Sequence, residues 1–447
     1  MRAGLASASG TPLKLLRWTA DCNERISRPG EETTLGELDW PALVRTGDLV
    51  VWGQSCAEPV GLVAALLEAR AAIGTFKAFI GISHSPNIDP KYADCVAFSS
   101  YCGTGNNRLL GEKLDILPLH YSQLAATLGR ENPVLLLSLA QAPDSNYFSF
   151  GAGADYLSDL IPQARLIIAE VSDTTICTEP SAVLRRDQVD LIVHTSVRPA
   201  AAEASRPGDN ERAVAGRVAG LIDAGATLQI GLGAVPAAVL RALGGHRDLG
   251  IHSGLITDEV AELAECGVIN NERKTIDRGI TVTGLLSGGT NLMRWAHRNR
   301  ALSLRPTSYT HDHAVLRSIE QFVAINSAVE VDLTGQINAE TARGQYVGAV
   351  GGAGAFLRGA LESRGGLPII ALPATAGRNS RIVANLSGPV STARADAGII
   401  VTEHGVADLR GLSVRARRDK MLAIADPAHR AALESAISTG SPHFSVQ

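Results

Sequence analysis

Short apolar runs alternate with amphipathic stretches along most of the chain. DLVVWGQ (48–54) reads as a buried strand, EPVGLVAALLEARAAIG (58–74) as a helix with Pro59 in its first turn, and TFKAFIGIS (75–83) as the next strand. LDILPLH, SQLAATLGR, PVLLLSLA, the glycine-started helix GAGADYLSDLIPQA, RLIIAEVS and VDLIVHT carry the alternation to residue 195. A stretch rich in Pro, Ala, Ser and charge then interrupts it, and 196–210 is predicted to be a linker. The pattern restarts with the helix ERAVAGRVAGLIDAG (211–225), followed by strands predicted at 227–230, 249–253, 279–286, 327–333, 367–373, 381–386 and 397–405. Such alternation implies mostly parallel sheets with right-handed crossovers. Two α/β halves of similar size predict two domains, 1–195 and 211–447, with a ligand in the cleft between them.

Composition narrows this picture. A chain of 447 residues is too long for one ordinary core, and 45% hydrophobic against 19% charged residues, with 45 glycines, favours large buried sheets with many glycine turns. A net charge of −4 with both signs interspersed excludes a nucleic-acid patch or a polybasic membrane segment. The N-terminal MRAGLASASGTPLKLLRW lacks the apolar centre of a signal peptide, and no apolar run approaches about 20 residues, which predicts a cytoplasmic protein. Six cysteines without CxxC spacing read as free thiols rather than a zinc site or disulfide framework. Eleven histidines include no HExxH; the close pair His311 and His313 falls in a polar stretch and reads as solvated, so no metal site is expected.

Candidate chemistry gathers in residues 224–263. Thr227 to Ile230 forms a strand that enters the turn Gly231-Leu232-Gly233, with Pro236 predicted at the first position of a helix that stops at Gly244-Gly245. The plan repeats: Leu249 to Ser253 ends in a glycine, and Thr257 or Asp258 can cap a helix that Gly267 ends. Ligands of open α/β sheets bind at the carboxyl ends of strands, so both junctions are expected to open onto one site. The GLGAVP turn is not a dinucleotide fingerprint, because Pro236 replaces the third glycine and no acid stands about 20 residues on. A second segment, VGAVGGAGAFLRGALESRGG (347–366), has seven glycines within twenty residues and leads into a helix with Arg358 and Arg364, a combination suited to backbone amides around an oxyanion or phosphate with a cation beyond. In a third, SAVEVDL (327–333), alternation puts Glu330 and Asp332 on one face, either as a solvated surface, the preferred reading, or as paired acids.

Together GLGAVPAAVL, DLGIHSGLITD, INSAVEVDLTGQINAE (325–340), GGAGAFLRGA, GGLPIIALPATA, SRIV and VTEHGVADLRGLSVRAR (401–417) identify a resemblance. The chain resembles the acetyl-CoA hydrolase/transferase family, which includes 4-hydroxybutyrate CoA-transferases, most densely over 225–430 and more loosely through GQSCAEPVGLVAALL and NYFSFG. The resemblance implies two related open α/β domains of CoA-transferase fold, with coenzyme A bound by the C-terminal one as a substrate rather than a tightly held cofactor. It implies acyl-CoA and a small-molecule acceptor as partners, no nucleic acid or membrane, and leaves a homodimer open. In the family a glutamate attacks the thioester while backbone amides hold the oxyanion. The amide donors correspond to Leu232 and Gly352, the CoA-contacting stretch to Gly231, Leu232, Gly233, Ala234 and Val235, with Gly348 lining the site and Arg364 in the place of a basic residue near the nucleotide.

The chain departs from the family where the nucleophile is expected. That glutamate stands two residues after the histidine of an IHSE-type motif, and here Ile251-His252-Ser253 is followed by Gly254. The family's glycine five positions later is Glu259, and Ala355 stands where an aspartate is usual. Glycine carries no nucleophile, so the glutamyl-CoA route is expected to be closed while the oxyanion donors remain. This predicts direct acyl transfer, cyclisation or hydrolysis at the thioester. The alternatives are a conventional CoA-transferase using a relocated carboxylate, Glu259 or Glu330, and a catalytically inactive CoA-binding paralogue. Ser253 as nucleophile with His252 as base is disfavoured, since neighbours on a strand point to opposite faces; Glu330 suits a base only if its strand faces the cleft.

Overall fold

The computed structural model describes residues 29–178, 183–202 and 204–438. The N-terminal segment read for targeting and Cys22 lie outside these residues. Two large sheets form, one on each side of residues 196–208. The first runs Glu31–Thr33, Leu191–Thr195, Leu166–Ser172, Val134–Gln141, Leu49–Trp52, Phe76–Ile80, Val96–Ser100 and Leu114–Ile116, every neighbouring pair parallel. The second runs Gly250–Ile251, Thr227–Ile230, Phe322–Asn326, Leu367–Ala371 and Ile399–Thr402 in parallel, closed by antiparallel Gly405–Asp408. This is the mostly parallel α/β architecture that the alternation predicts. No helix among the described residues is long and apolar enough to cross a membrane.

Strand order locates the cleft. In the second sheet the chain starts at Thr227–Ile230, adds Gly250–Ile251 on one side and then crosses to Phe322–Asn326 on the other, so the order reverses between Thr227–Ile230 and Phe322–Asn326. The first sheet reverses likewise between Leu49–Trp52 and Val134–Gln141. Crevices at such reversals, beyond the strands' carboxyl ends, are where open α/β sheets hold ligands. The halves are packed together: one buried cluster is confined to the first half, one to the second, and the largest runs through both, from Phe148 and Tyr156 to Leu285 and Val239. Backbone bonds join them, Ala154 N–H to the Gly284 oxygen (3.0 Å) and Leu286 N–H to that of Ala152 (2.7 Å).

Several local expectations are corrected. Phe322–Asn326, a central strand, is not predicted, because its apolar run abuts the alternating SAVEVDL and length alone separates them. SAVEVDL itself yields only Glu330–Asp332, in a separate three-stranded sheet with Ile337–Asn338 and Ile382–Val383. The 279–286 run breaks into Thr281–Thr283 and Leu285–Leu286, each in a two-stranded pair outside the main sheets. Val96–Ser100 is a further unpredicted strand, and the helix expected over 151–164 is confined to Asp155–Leu160 before a 3-10 turn containing Pro162.

One buried acid sets a pH dependence of stability. Glu58, just before the helix Val60–Ile73, accepts from the hydroxyls of Ser83 (2.7 Å) and Ser85, and burial pushes its carboxyl up to about 7 from an ordinary 4.5. The folded chain therefore keeps a proton that the unfolded chain has released. This group's contribution is complete below about pH 4.5 and lost as pH rises through 7, a difference on the order of 3 kcal/mol. Glu58→Gln is expected to raise the urea midpoint at pH 8 relative to wild type far more than at pH 4.5. Parallel pH dependences for the two proteins would show that Glu58 is not protonated in the folded state.

Candidate active site

The strand Thr227–Ile230 is buried along its length and ends in a turn that only glycine permits. A Cβ on Gly231 would lie 3.0 Å from Asn326 Oδ1 and 3.3 Å from the Ile325 oxygen, and Gly233 has φ +116°, a region L side chains avoid. The turn leads directly into the helix Ala234–Ala242, so Ala234 and Val235 are its first residues. Pro236 is third rather than first, still among the positions whose N–H has no partner within the helix. Gly231 and Leu232 line a cavity of about 230 Å³ between the two halves, at the strand-order reversal of the second sheet, with Gln54 from the first sheet opposite. Across the turn a second chamber of about 280 Å³ takes in Gly233, Thr257, Glu259 and Gly288.

The glycine-rich segment forms another wall of the first cavity, with Gly348 and Gly352 at its surface. It is tied to the first half, since Gly103 N–H donates to the Gly348 oxygen and Tyr121 N–H to that of Gly351, each at 3.0 Å. Gly352 caps the helix Ala353–Glu362. Neither the Leu232 nor the Gly352 N–H donates to any group among the described residues, while both residues border the cavity. Two uncommitted amides, one just ahead of the helix Ala234–Ala242 and one at the N-cap of Ala353–Glu362, in residues that border one space, can hold an oxyanion. Arg364 is not brought to this cavity: it is exposed and paired with Glu320.

Gly254 also borders the cavity, and a Cβ there would meet His311 Cε1 at 3.0 Å, His311 Nε2 at 3.2 Å and Phe356 Cε2 at 3.5 Å. A Cβ on Gly352 would lie 2.5 Å from the same Nε2. The His311 ring thus stands between the two glycines. It is buried, stacked on Tyr121 (centroids 5.1 Å apart) and set against Phe356 (4.4 Å). The solvated reading holds only for His313, half-exposed and 3.0 Å from Glu362. Nothing in the polar THDH stretch separates the two histidines; the short helix Thr307–Thr310 carries His311 into the space between the halves. Burial, then His252, holds the imidazole down to about 3, so it is neutral.

The remaining candidates occupy other roles. Ser253 is fully buried, its hydroxyl accepting from Ile230 N–H (3.2 Å) and donating to the Ile230 oxygen (3.3 Å). His252 Nε2–H donates instead to the Thr310 oxygen (3.2 Å), so no Ser253–His252 dyad is assembled, for the reason strand alternation suggests. Glu259 binds Arg241 (2.9 Å) and the Thr257 hydroxyl (2.6 Å) and faces the second chamber. Glu330 accepts from Asn338 Nδ2 (3.0 Å), Ser387 N–H (2.7 Å), the Ser387 hydroxyl (2.9 Å) and Gly388 N–H (3.2 Å), outside the cavity lining. Asp332 is similarly taken up by Thr334 and Gln336. Both acids are buried, which overturns the solvated-face reading: Asp332 closes a turn by accepting from Thr334 and Gln336, and Glu330 ties its strand to the distant Ser387–Gly388 segment.

The wall from the first half carries residues whose role the sequence does not signal, although Gln54 stands in GQSCAEPVGLVAALL. Gln54 Nε2 donates to Tyr121 Oη (2.6 Å) and to Asp155 Oδ2 (2.8 Å), while its Oε1 accepts from Tyr101 Oη and Ile82 N–H, each at 3.0 Å. Burial pushes Asp155 up to about 6 and both phenols well above their usual range, so the tyrosines stay neutral. Among the described residues lining the cavity there is no Lys, Arg, Asp or Glu. The site is therefore a lightly polar space with amide donors, phenols, the Gln54 network, the Gln229–Asn326 carboxamide pair and one neutral imidazole.

Residues 288–437 match the model of the acetyl-CoA hydrolase/transferase C-terminal domain. A 4-hydroxybutyrate coenzyme A transferase of Clostridium kluyveri is 38% identical over 304 residues, covering 67% of this chain and 71% of that protein. The chain belongs to the acetyl-CoA hydrolase/transferase family. Among solved structures, RipA of Yersinia pestis superposes with a TM-score of 0.86 at 29% identity, over 92% of this chain and 97% of that one. A 4-hydroxybutyrate CoA-transferase of Porphyromonas gingivalis superposes with a TM-score of 0.77 at 30% identity, over the same shares. Family membership makes this an enzyme of the acyl-CoA transferase or hydrolase type with the CoA-transferase fold.

Proposed function

We propose that this family member binds an acyl-CoA with the thioester carbonyl oxygen on the amides of Leu232 and Gly352 and passes the acyl group directly to a second substrate or to water, without a glutamyl-CoA intermediate. One observation carries the reading: the cavity bordered by both uncommitted amides holds no carboxylate among its described lining residues. Gly254 supports it, since the direction a side chain would take there points at His311 and Phe356 inside the same cavity. The committed partners of Glu259 and Glu330 argue against a relocated nucleophile. Coenzyme A would reach the cavity past the Gly231–Gly233 turn, where the second chamber begins.

In the reaction, the bond from the attacking atom to the acyl carbon forms as the carbonyl electrons move onto oxygen. The C–S bond then breaks, and the departing thiolate recovers the proton lost by the nucleophile. Each amide donor is worth roughly 3 to 4 kcal/mol at the oxyanion. Acetyl-CoA and butyryl-CoA, followed by free-thiol release in water and with hydroxylamine as acceptor, are expected to be consumed. Mass spectrometry after borohydride trapping is expected to find no glutamyl-CoA adduct on the protein. An adduct would establish a relocated carboxylate, and absence of any thiol release with acyl-CoA bound would leave a CoA-binding protein without this activity.

A further inference from the structure

His311 separates the cavity at Gly254 from an outer basin of about 610 Å³ bordered by His120, His313 and Arg358, and it alone among the described residues lines both. Thr310 Oγ lies 3.3 Å from the Pro306 oxygen and 2.9 Å from His311 Nδ1; where the hydroxyl gives its one hydrogen to Pro306, it accepts from Nδ1–H. Nε2 is then an unprotonated nitrogen with no partner among the described residues, in front of Gly254 and Gly352. His252 holds this arrangement, because its Nε2–H grips the Thr310 oxygen.

Resting on the direct-attack reading, we infer that His311 is the general base of the reaction and that the second substrate is a neutral X–H nucleophile: water, an alcohol, an amine or a thiol. A carboxylate acceptor arrives already ionised and gains from a cation, yet no Lys or Arg is found among the described lining residues; an X–H acceptor needs a base at its side, and Nε2 provides one. The X–H proton passes to Nε2 as X attacks the acyl carbon. The oxyanion forms on the amide donors, the C–S bond breaks, and the Nε2 proton goes to the CoA thiolate, returning the imidazole to neutrality with nothing oxidised or reduced. Burial keeps the free ring in its base form at neutral pH, and the imidazolium arises only beside the negative charge of the intermediate.

Two variants test this on the full-length enzyme with butyryl-CoA and water or hydroxylamine. His311→Gln, which keeps a polar group of similar reach without a basic nitrogen, is expected to lower kcat more than about 100-fold with acyl-CoA affinity within about threefold of wild type. His311→Gly is expected to regain activity with added imidazole, in proportion to its concentration and rising with the basicity of substituted imidazoles, a response that a packing role would not produce. Turnover by His311→Gln within about threefold of wild type, or no rescue of a folded His311→Gly, would overturn the assignment. A glutamyl-CoA adduct on the wild-type protein would instead sink the direct-attack reading itself, so the two failures are told apart by mass spectrometry.

Discussion

Gly352→Val is expected to abolish thioester turnover, by about 1000-fold or more, in a protein that still folds. Gly352 has φ −89° and ψ −10°, ordinary for any residue, so the substitution carries no left-handed strain. The damage is confined to the space in front of the residue. A Cβ would stand 2.5 Å from His311 Nε2, 3.0 Å from His311 Cδ2 and 3.2 Å from Phe356 Cε2, so the imidazole must move away. Losing one oxyanion donor's alignment alone lowers kcat by about 100- to 1000-fold, and displacing the base adds to it. Gly352→Ala, with the same Cβ and no branches, should fall between. Thiol-release rates read beside the thermal midpoint and acyl-CoA affinity check this. Turnover within about tenfold of wild type in a folded Gly352→Val would remove both the amide and the contact with His311 from the chemistry.

The second large effect is expected at Gly254. Gly254→Glu should cut the native reaction more than about 100-fold, because its Cβ would approach His311 Cε1 and Nε2 within 3.0 and 3.2 Å and its carboxylate would fill the space that the second substrate uses. Gly254 is not among the left-handed glycines, so the conflict is with the imidazole rather than with the backbone. The single variant is consequently expected to form a glutamyl-CoA adduct poorly. Gly254→Glu combined with His311→Ala makes room for the carboxylate beside the thioester and should yield a trappable adduct and measurable CoA transfer to acetate. Adduct formation then depends on the pair far more than on the two changes taken separately, as contacting residues require. If the double variant folds and binds acyl-CoA without adduct, and Gly254→Glu keeps native turnover, Gly254 does not stand beside the thioester.

Much of the architecture is readable from the chain itself. Strand and helix periods depend on residues a few positions apart, so the βα alternation, the strand Thr227–Ile230 and the glycine turn after it are all visible in local pattern. Gly231, Leu232, Gly254, Gly348 and Gly352 could be singled out because they stand in segments that resemble a known family. Pattern loses its hold where neighbours in space are distant in sequence. Phe322–Asn326 and SAVEVDL form one β-rich run, and only pairing with Thr227–Ile230 and Leu367–Ala371 makes the first part a central strand. Glu330 reads as part of a polar face until folding brings it donors from Ser387 and Gly388, far along the chain. The cavity joins Gln54, Tyr101, Tyr121, Gly254, His311 and Gly352, drawn from six stretches of the chain. Whether a histidine in a polar stretch is solvated or stands as a neutral base between two glycines depends on long-range packing, and that packing exists only in the tertiary structure.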